Sequence, residues 1–404
     1  MNDKDESKQP PANAGAGAGA GANEGAGASG PPVEAPLRSV HTTNFPQLLQ
    51  HFNTSLLVTT YQAGKLVVVR SDGEVINTHF RNFKKPMGMA VDGNRLAIGT
   101  SQEIWQFRNV PAVAPRLEPK GKVDACYLPR SGHMTGDIQI HEMCYEGDDL
   151  WFINTAFSCL CTHDSEHSFV PRWRPPFVTE LAPGDRCHLN GLGVVGNKPK
   201  FMTALGKTNT TGGWRENKKD GGILMDLDSN EIILEGLSMP HSPRWYQDKL
   251  WVMESGNGTF GYVDLDTCKY EAIVELPGFT RGLEFVGNLA FIGLSQVRES
   301  AIFSGIPITT RLKQEERTCG VWAVDIRNGQ VVAFLKFEDA VQEIFAVAAL
   351  PGISYPDLVN HDPEIAGSSY VLPDEALRDV PDELLRKDSN GSTGESKEPE
   401  VKAE

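Results

Sequence analysis

Two stretches of this chain, one hundred residues apart, carry the same landmarks. HEMCYEGDDLW begins at His141 and HSPRWYQDKLW at His241. In each, an aromatic residue follows the histidine by four positions and a Leu-Trp pair begins nine positions after it. Spacing kept between otherwise unlike segments marks an internal structural repeat, and it narrows the available folds more than composition does. Aligned on that pair, further copies emerge at KPMGMAVDGNRLAIGT (85–100), NGLGVVGNKPKFMTA (190–204) and TRGLEFVGNLAFIGLS (280–295). A sixth is split between SLLVTTYQAGKLVVV (55–69) and EIFAVAALPG (343–352).

Each copy reads as a short strand, a tight turn (DGN, EGDD, YQDK, VGN) and a second strand rich in apolar and aromatic residues. DLDSNE, DLDTCK and DIRNGQ are hairpin turns that supply third and fourth strands. Helical periodicity is nearly absent outside residues 45–53. Six such units, about 40–50 residues apart, predict an all-β chain folded as a six-bladed β-propeller. The split unit predicts closure by a C-terminal strand, with EIFAVAAL pairing with SLLVTT in the N-terminal blade. A pair of β-sandwiches or a β-solenoid are the alternatives such a pattern leaves. The domain expectation is a Gly/Ala/Pro-rich tail over 1–44, the propeller over 45–358 and an acidic tail over 359–404 with at most one short helix. Both tails are expected to be disordered, because they carry too little apolar surface to offset ordering.

The formal net charge is −15, which argues against nucleic-acid binding. No apolar run approaches the roughly 18–20 residues that span a bilayer, so no membrane partner is expected. The N-terminal MNDKDESKQ resembles neither a secretory signal nor a transit peptide. Seven cysteines in irregular spacing fit a reduced compartment, and the expected location is cytoplasmic. A monomer is expected, since a closed ring leaves no free sheet edge to pair.

In a propeller the first strand of each blade lines the central channel, and residues at its start converge at one mouth. Those positions are Met87, His141, Asn190, His241, Arg281 and a residue near Glu343 or Phe345. His188 lies just upstream of Asn190, and Glu142 follows His141. Buried polar groups need partners, so this much polarity at one mouth points to a site. The first expectation is an enzyme acting on a small or anionic substrate. His141, His188 and His241 would hold one divalent transition metal (Zn, Fe or Cu), and Glu142 or Glu343 would act as catalytic base. Asn190, Arg281, Trp214, Arg215 and Arg298 would bind the substrate. The second is a non-catalytic module that binds a peptide or small-molecule ligand, its histidines merely hydrogen-bonded. Three long segments, 156–177, 206–222 and 295–320, are expected as loops on the same face. They would roof the site and bring Trp173, Arg174 and Glu299 to it. CLCTHDSEH (159–167) matches no structural zinc spacing, and no G-x-S-x-G, P-loop or H-E-x-x-H motif is present.

NTAFSCLCT, FVPRWRPPF, DRCHLNGLG, GGWRENK, GLSMPHSPRW, LPGFTRGLEF, GLSQVRES and EIFAVAALPG resemble a family of conserved hypothetical bacterial proteins classed under a domain of unknown function. The resemblance runs from about Phe45 to Asp357. It implies a propeller-like fold and no particular activity. More distantly, the repeat is similar to six-bladed lactonases of the gluconolactonase type. That resemblance would imply a metal held at the channel by Glu and Asn/Asp. Asn190 matches that pattern, whereas the histidines and Arg281 depart from it.

Overall fold

The computed structural model describes residues 37–297, 304–360 and 362–381. Its strands form six antiparallel sheets of four strands each, two of them extended by a fifth. From the channel outward, blade 1 runs Ala346–Pro351, Thr54–Thr60, Lys65–Asp72, Val75–Asn82. Blade 2 runs Met89–Asp92, Arg95–Gly99, Glu103–Asn109, Ala125–Met134. Blade 3 runs Ile140–Glu146, Asp149–Asn154, Cys159–Thr162, Val170–Trp173. Blade 4 runs Leu189–Val195, Lys198–Ala204, Gly222–Asp226, Ile232–Leu237. Blade 5 runs Pro240–Tyr246, Lys249–Glu254, Thr259–Asp264, Lys269–Glu275. Blade 6 runs Phe279–Val286, Leu289–Ser295, Cys319–Asp325, Gln330–Phe337.

The shared spacing of the two opening segments follows from one local device. In blades 2 to 6 two residues join the first strand to the second. Gly93, Gly147 and Gly287 take positive φ at the first of these, whereas Gly196–Asn197 and Gln247–Asp248 take it at both. These are the mirror-image turns whose twist matches that of the strands. The turn fixes the register, so Leu150 pairs with Tyr145 and Leu250 with Trp245. A bulge before the turn is also shared, which keeps the histidines at equal offsets.

The ring closes as expected. Ser55 pairs with Leu350, Leu57 with Ala348 and Thr59 with Ala346, so the last inner strand completes the first blade. The inner and second strands alternate side chains between two inter-blade cores. Leu57, Leu66 and Val68 pack against Leu96, Ile98 and Phe107 of blade 2, whereas Leu56, Val58 and Val67 pack against Phe291, Val321 and Leu335 of blade 6. Short additions reinforce the rim. Ser39–His41 adds a fifth strand to blade 6, and Pro356–Leu358 adds one, parallel, to blade 2. The propeller therefore recruits residues upstream of 45. The helix Phe45–His51 buries Phe45 and Leu49 over the seam between blades 6 and 1. Beyond residue 358 the described residues hold two short helices, Pro363–Gly367 and Asp374–Leu377, one more than expected. The tail expectations over 1–36 and 382–404 lie outside the described residues.

The segment 156–177 is not the long loop expected. It holds the third and fourth strands of blade 3, which places Trp173 at the blade's outer edge, where its Nε1 donates to Asn230 Oδ1 at 2.7 Å. Strands of four residues leave little alternation to read in a sequence.

Candidate functional site

The entries to the inner strands build two rings of residues at one channel mouth. The inner ring is Phe345, Met87, His141, Asn190, His241 and Arg281. Two residues earlier in each blade stand Glu343, Lys85, Gln139, His188, Met239 and Phe279. Of these, Lys85, Gln139, His188 and Met239 are left-handed, with φ of 52°, 55°, 50° and 46°. Non-glycine residues take this conformation at a cost of about 1–3 kcal/mol each, and such strain clusters where a site needs it. Here it aims a carbonyl at the imidazole two residues on: His141 Nδ1 lies 2.9 Å from Gln139 O, and His241 Nδ1 lies 2.9 Å from Met239 O.

Each imidazole also meets a hydroxyl fourteen residues on. His141 Nδ1 is 2.7 Å from Thr155 Oγ1, and His241 Nδ1 is 3.0 Å from Ser255 Oγ. Those hydroxyls spend their single proton on the next blade: Thr155 Oγ1 donates to Leu189 O at 2.6 Å and Ser255 Oγ to Thr280 O at 2.5 Å. A hydroxyl that donates elsewhere can only accept from the ring, so Nδ1 carries the proton and Nε2 carries the lone pair. Nε2 of His141 is buried and has no partner among the described residues. Burial, and then the positive charge of Arg281, push both imidazoles well below their ordinary pKa, so both are neutral at pH 7.

The rings enclose a cavity of about 370 Å³. Arg281 lies on the Phe345 ring, its guanidinium carbon 3.6 Å from the ring centre. Burial pushes its pKa down to about 10, against the pull of Glu343, so it stays charged. Among the described residues no carboxylate comes within ion-pair distance of it. Tyr61, Trp214, Phe279 and Phe345 give the cavity an aromatic wall.

The expected site residues divide. The structure brings His141, His188, His241, Arg281, Glu343, Trp214 and Arg215 to the cavity. Trp214 and Arg215 come from the 3₁₀ turn Gly213–Asn217 in the 206–222 loop, as the roof reading required. Glu142 is not at the mouth. Strand alternation turns it away, and its carboxylate accepts from Leu192 N at 2.7 Å and from Arg244 Nη1 at 2.8 Å. Asn190 does not line the cavity, and both ends of its amide are engaged: Oδ1 accepts from Thr203 Oγ1 at 2.6 Å and Nδ2 donates to Pro240 O at 3.0 Å. Arg298 and Glu299 lie outside the described residues. Among the described residues, no three His, Cys, Asp or Glu side chains form a group placed to hold a metal ion. His188 Nδ1 instead contacts Asp185, at 2.9 Å and 3.0 Å from its two oxygens.

Sequence reasoning missed Asp185, Lys85, Tyr61 and the two hydroxyls. The Thr155 and Ser255 signal was available, since each follows its histidine by fourteen positions.

A family model described as a domain of unknown function (DUF4915) matches residues 43–359. The chain belongs to the DUF4915 family. Comparison of this DUF4915 chain with curated proteins gives no match. Among solved structures it is similar to a chain of a nidogen/laminin complex, at 7% identity and a TM-score of 0.44, covering 74% of this chain and 99% of that one. It is also similar to a protein of unknown function from Bacteroides caccae, at 11% identity and a TM-score of 0.44, covering 74% and 98%. No helix among the described residues is long and apolar enough to cross a membrane.

Proposed function

We propose that the mouth cavity binds a small anionic molecule that also carries a hydroxyl or amino hydrogen-bond donor. The observation that carries this reading is Arg281. A largely buried guanidinium with no carboxylate in ion-pair reach among the described residues, held over an aromatic ring, suits a planar anion such as a carboxylate. The neutral His241 ring lines the same cavity, and its lone pair calls for a donor on the same ligand. A volume of about 370 Å³ fits a small molecule, at the low end of the roughly 300–1,000 Å³ typical of such sites.

The test is a thermal-shift screen of simple carboxylates, hydroxy acids, sugar acids, amino acids and phosphate, followed by calorimetry. Hydroxy- or amino-carboxylates should stabilise the protein. Arg281→Met should weaken binding by about 2 kcal/mol or more, about thirtyfold, with little change in the melting of the free protein. Equal binding by the variant would refute the reading. Zn, Fe and Cu belong in the same screen. A stoichiometric metal, lost in a folded His141→Ala/His241→Ala variant, would make the pair metal ligands instead.

A further inference from the structure

Three imidazoles reach the cavity, and what stands behind each one differs. His141 and His241 each back onto a carbonyl and a hydroxyl, both uncharged. His188 backs onto the Asp185 carboxylate. A carboxylate only accepts, so the proton on that contact belongs to His188 Nδ1, and in the neutral ring Nε2 holds the lone pair. Asp185 is itself fixed from two further sides: Trp214 Nε1 donates to Oδ2 at 3.0 Å and Arg215 Nη2 at 3.3 Å. The His188 ring is wedged against Trp214, 4.5 Å between ring centres, and edge-on to His141 at 4.9 Å. Both members are left-handed, with φ of 46° at Asp185 and 50° at His188.

The difference in backing sets what each ring can do. If His141 or His241 took a proton it would become a second buried cation beside Arg281, with only neutral partners. If His188 takes one, the imidazolium is half of an ion pair already in place. The first two rings are therefore suited to stay neutral, and the third is suited to hold a proton.

We propose that Asp185 and His188 form a proton-transfer couple in which His188 Nε2 is the general base toward a hydroxyl of the anionic ligand, and Asp185 is its positioning residue. This rests on the anion site at Arg281. In the step the ligand O–H bond breaks, an N–H bond forms at Nε2, and the electron pair stays on the ligand oxygen. The couple passes from one negative charge to none. The proton returns to the product as the couple resets.

Diethyl pyrocarbonate, which acylates an unprotonated imidazole nitrogen, reads this without a known substrate. Wild type and variant are compared at one pH, about 8. Peptide mass spectrometry should find His188 acylated fastest of the three. Asp185→Asn, which keeps the shape and removes the charge, should slow His188 about fivefold or more and leave His141 and His241 unchanged. Ring nitrogen NMR of the unmodified protein should show His188 as the Nδ1–H form, and this needs no variant. An unchanged His188 rate in folded Asp185→Asn, or an Nε2–H form in the wild type, would overturn the couple. A bound hydroxy acid should protect His188 in the wild type and fail to do so in Arg281→Met. If no anion protects while the Asp185 effect persists, the anion reading fails, and with it the substrate assigned to the couple.

Discussion

Thr155 and Ser255 decide which nitrogen of each inner-ring imidazole carries the proton. Each hydroxyl joins two blades: it accepts from the ring of its own blade and donates to a backbone carbonyl of the next. Thr59 and Ser295 make the same inter-blade donation, to Met87 O and Ile344 O. Thr155→Val keeps the shape and removes the hydroxyl, leaving Leu189 O and one contact of His141 Nδ1 without it. We expect a stability loss of about 1–3 kcal/mol in urea unfolding, together with loss of the single His141 tautomer in ring nitrogen NMR. An unaltered tautomer would show that Gln139 O fixes the ring alone. These roles were half legible. The equal offset of fourteen stood in the sequence, but whether a Ser or Thr meets a ring or a carbonyl depends on the neighbouring blade.

Among the elements, the closing strand Ala346–Pro351 bears most on the fold, because it turns an open series of sheets into a ring. Leu350 is 1% exposed and packs with Leu57, Leu66 and Leu358. Leu350→Ala should cost about 2–5 kcal/mol, measured as a shift in the denaturant midpoint at unchanged slope. A loss below about 1 kcal/mol would mean that the closing blade is not part of the cooperative unit. The pairing of this strand was readable because the sixth repeat was visibly split. Ser39–His41 and Pro356–Leu358 were not, since three residues carry no period. Close backbone approach was equally hidden. Gly88 and Gly191 follow inner-ring positions, and a Cβ there would stand 2.0 Å from His141 O and 2.2 Å from Thr203 Oγ1.

For the whole molecule, the buried neutral imidazoles tie stability to pH. In the unfolded chain His141 and His241 regain a pKa near 6.5. Their folded values lie well below it. The unfolded state therefore binds more protons as pH falls through 6.5, and stability drops on acidification. The two together contribute a slope of up to about 2.7 kcal/mol per pH unit below that point. His79 and His163, lowered by burial and by neighbouring positive groups, add to it in the same direction. Unfolding free energies at pH 7.5, 6.5 and 5.5 should fall in that order, with a shallower fall in His141→Gln/His241→Gln. Equal slopes in the two proteins would contradict the burial argument. At this scale the repeat placed the mouth and named five of its six inner-ring positions outright. It did not show which way each side chain turns. Glu142 was assigned to the site by adjacency and Asn190 by its repeat offset, and local pairing with Arg244 and Thr203 draws them off.

The anion site proposed at the channel mouth is centred on Arg281. A crystal structure of the protein with the tightest-binding hydroxy acid tests it most directly. The expected result is the ligand's carboxylate on the Arg281 guanidinium, with its hydroxyl within hydrogen-bond reach of an imidazole Nε2. An empty mouth with the ligand bound elsewhere, or a ligand oriented with its carboxylate away from Arg281, would contradict the account.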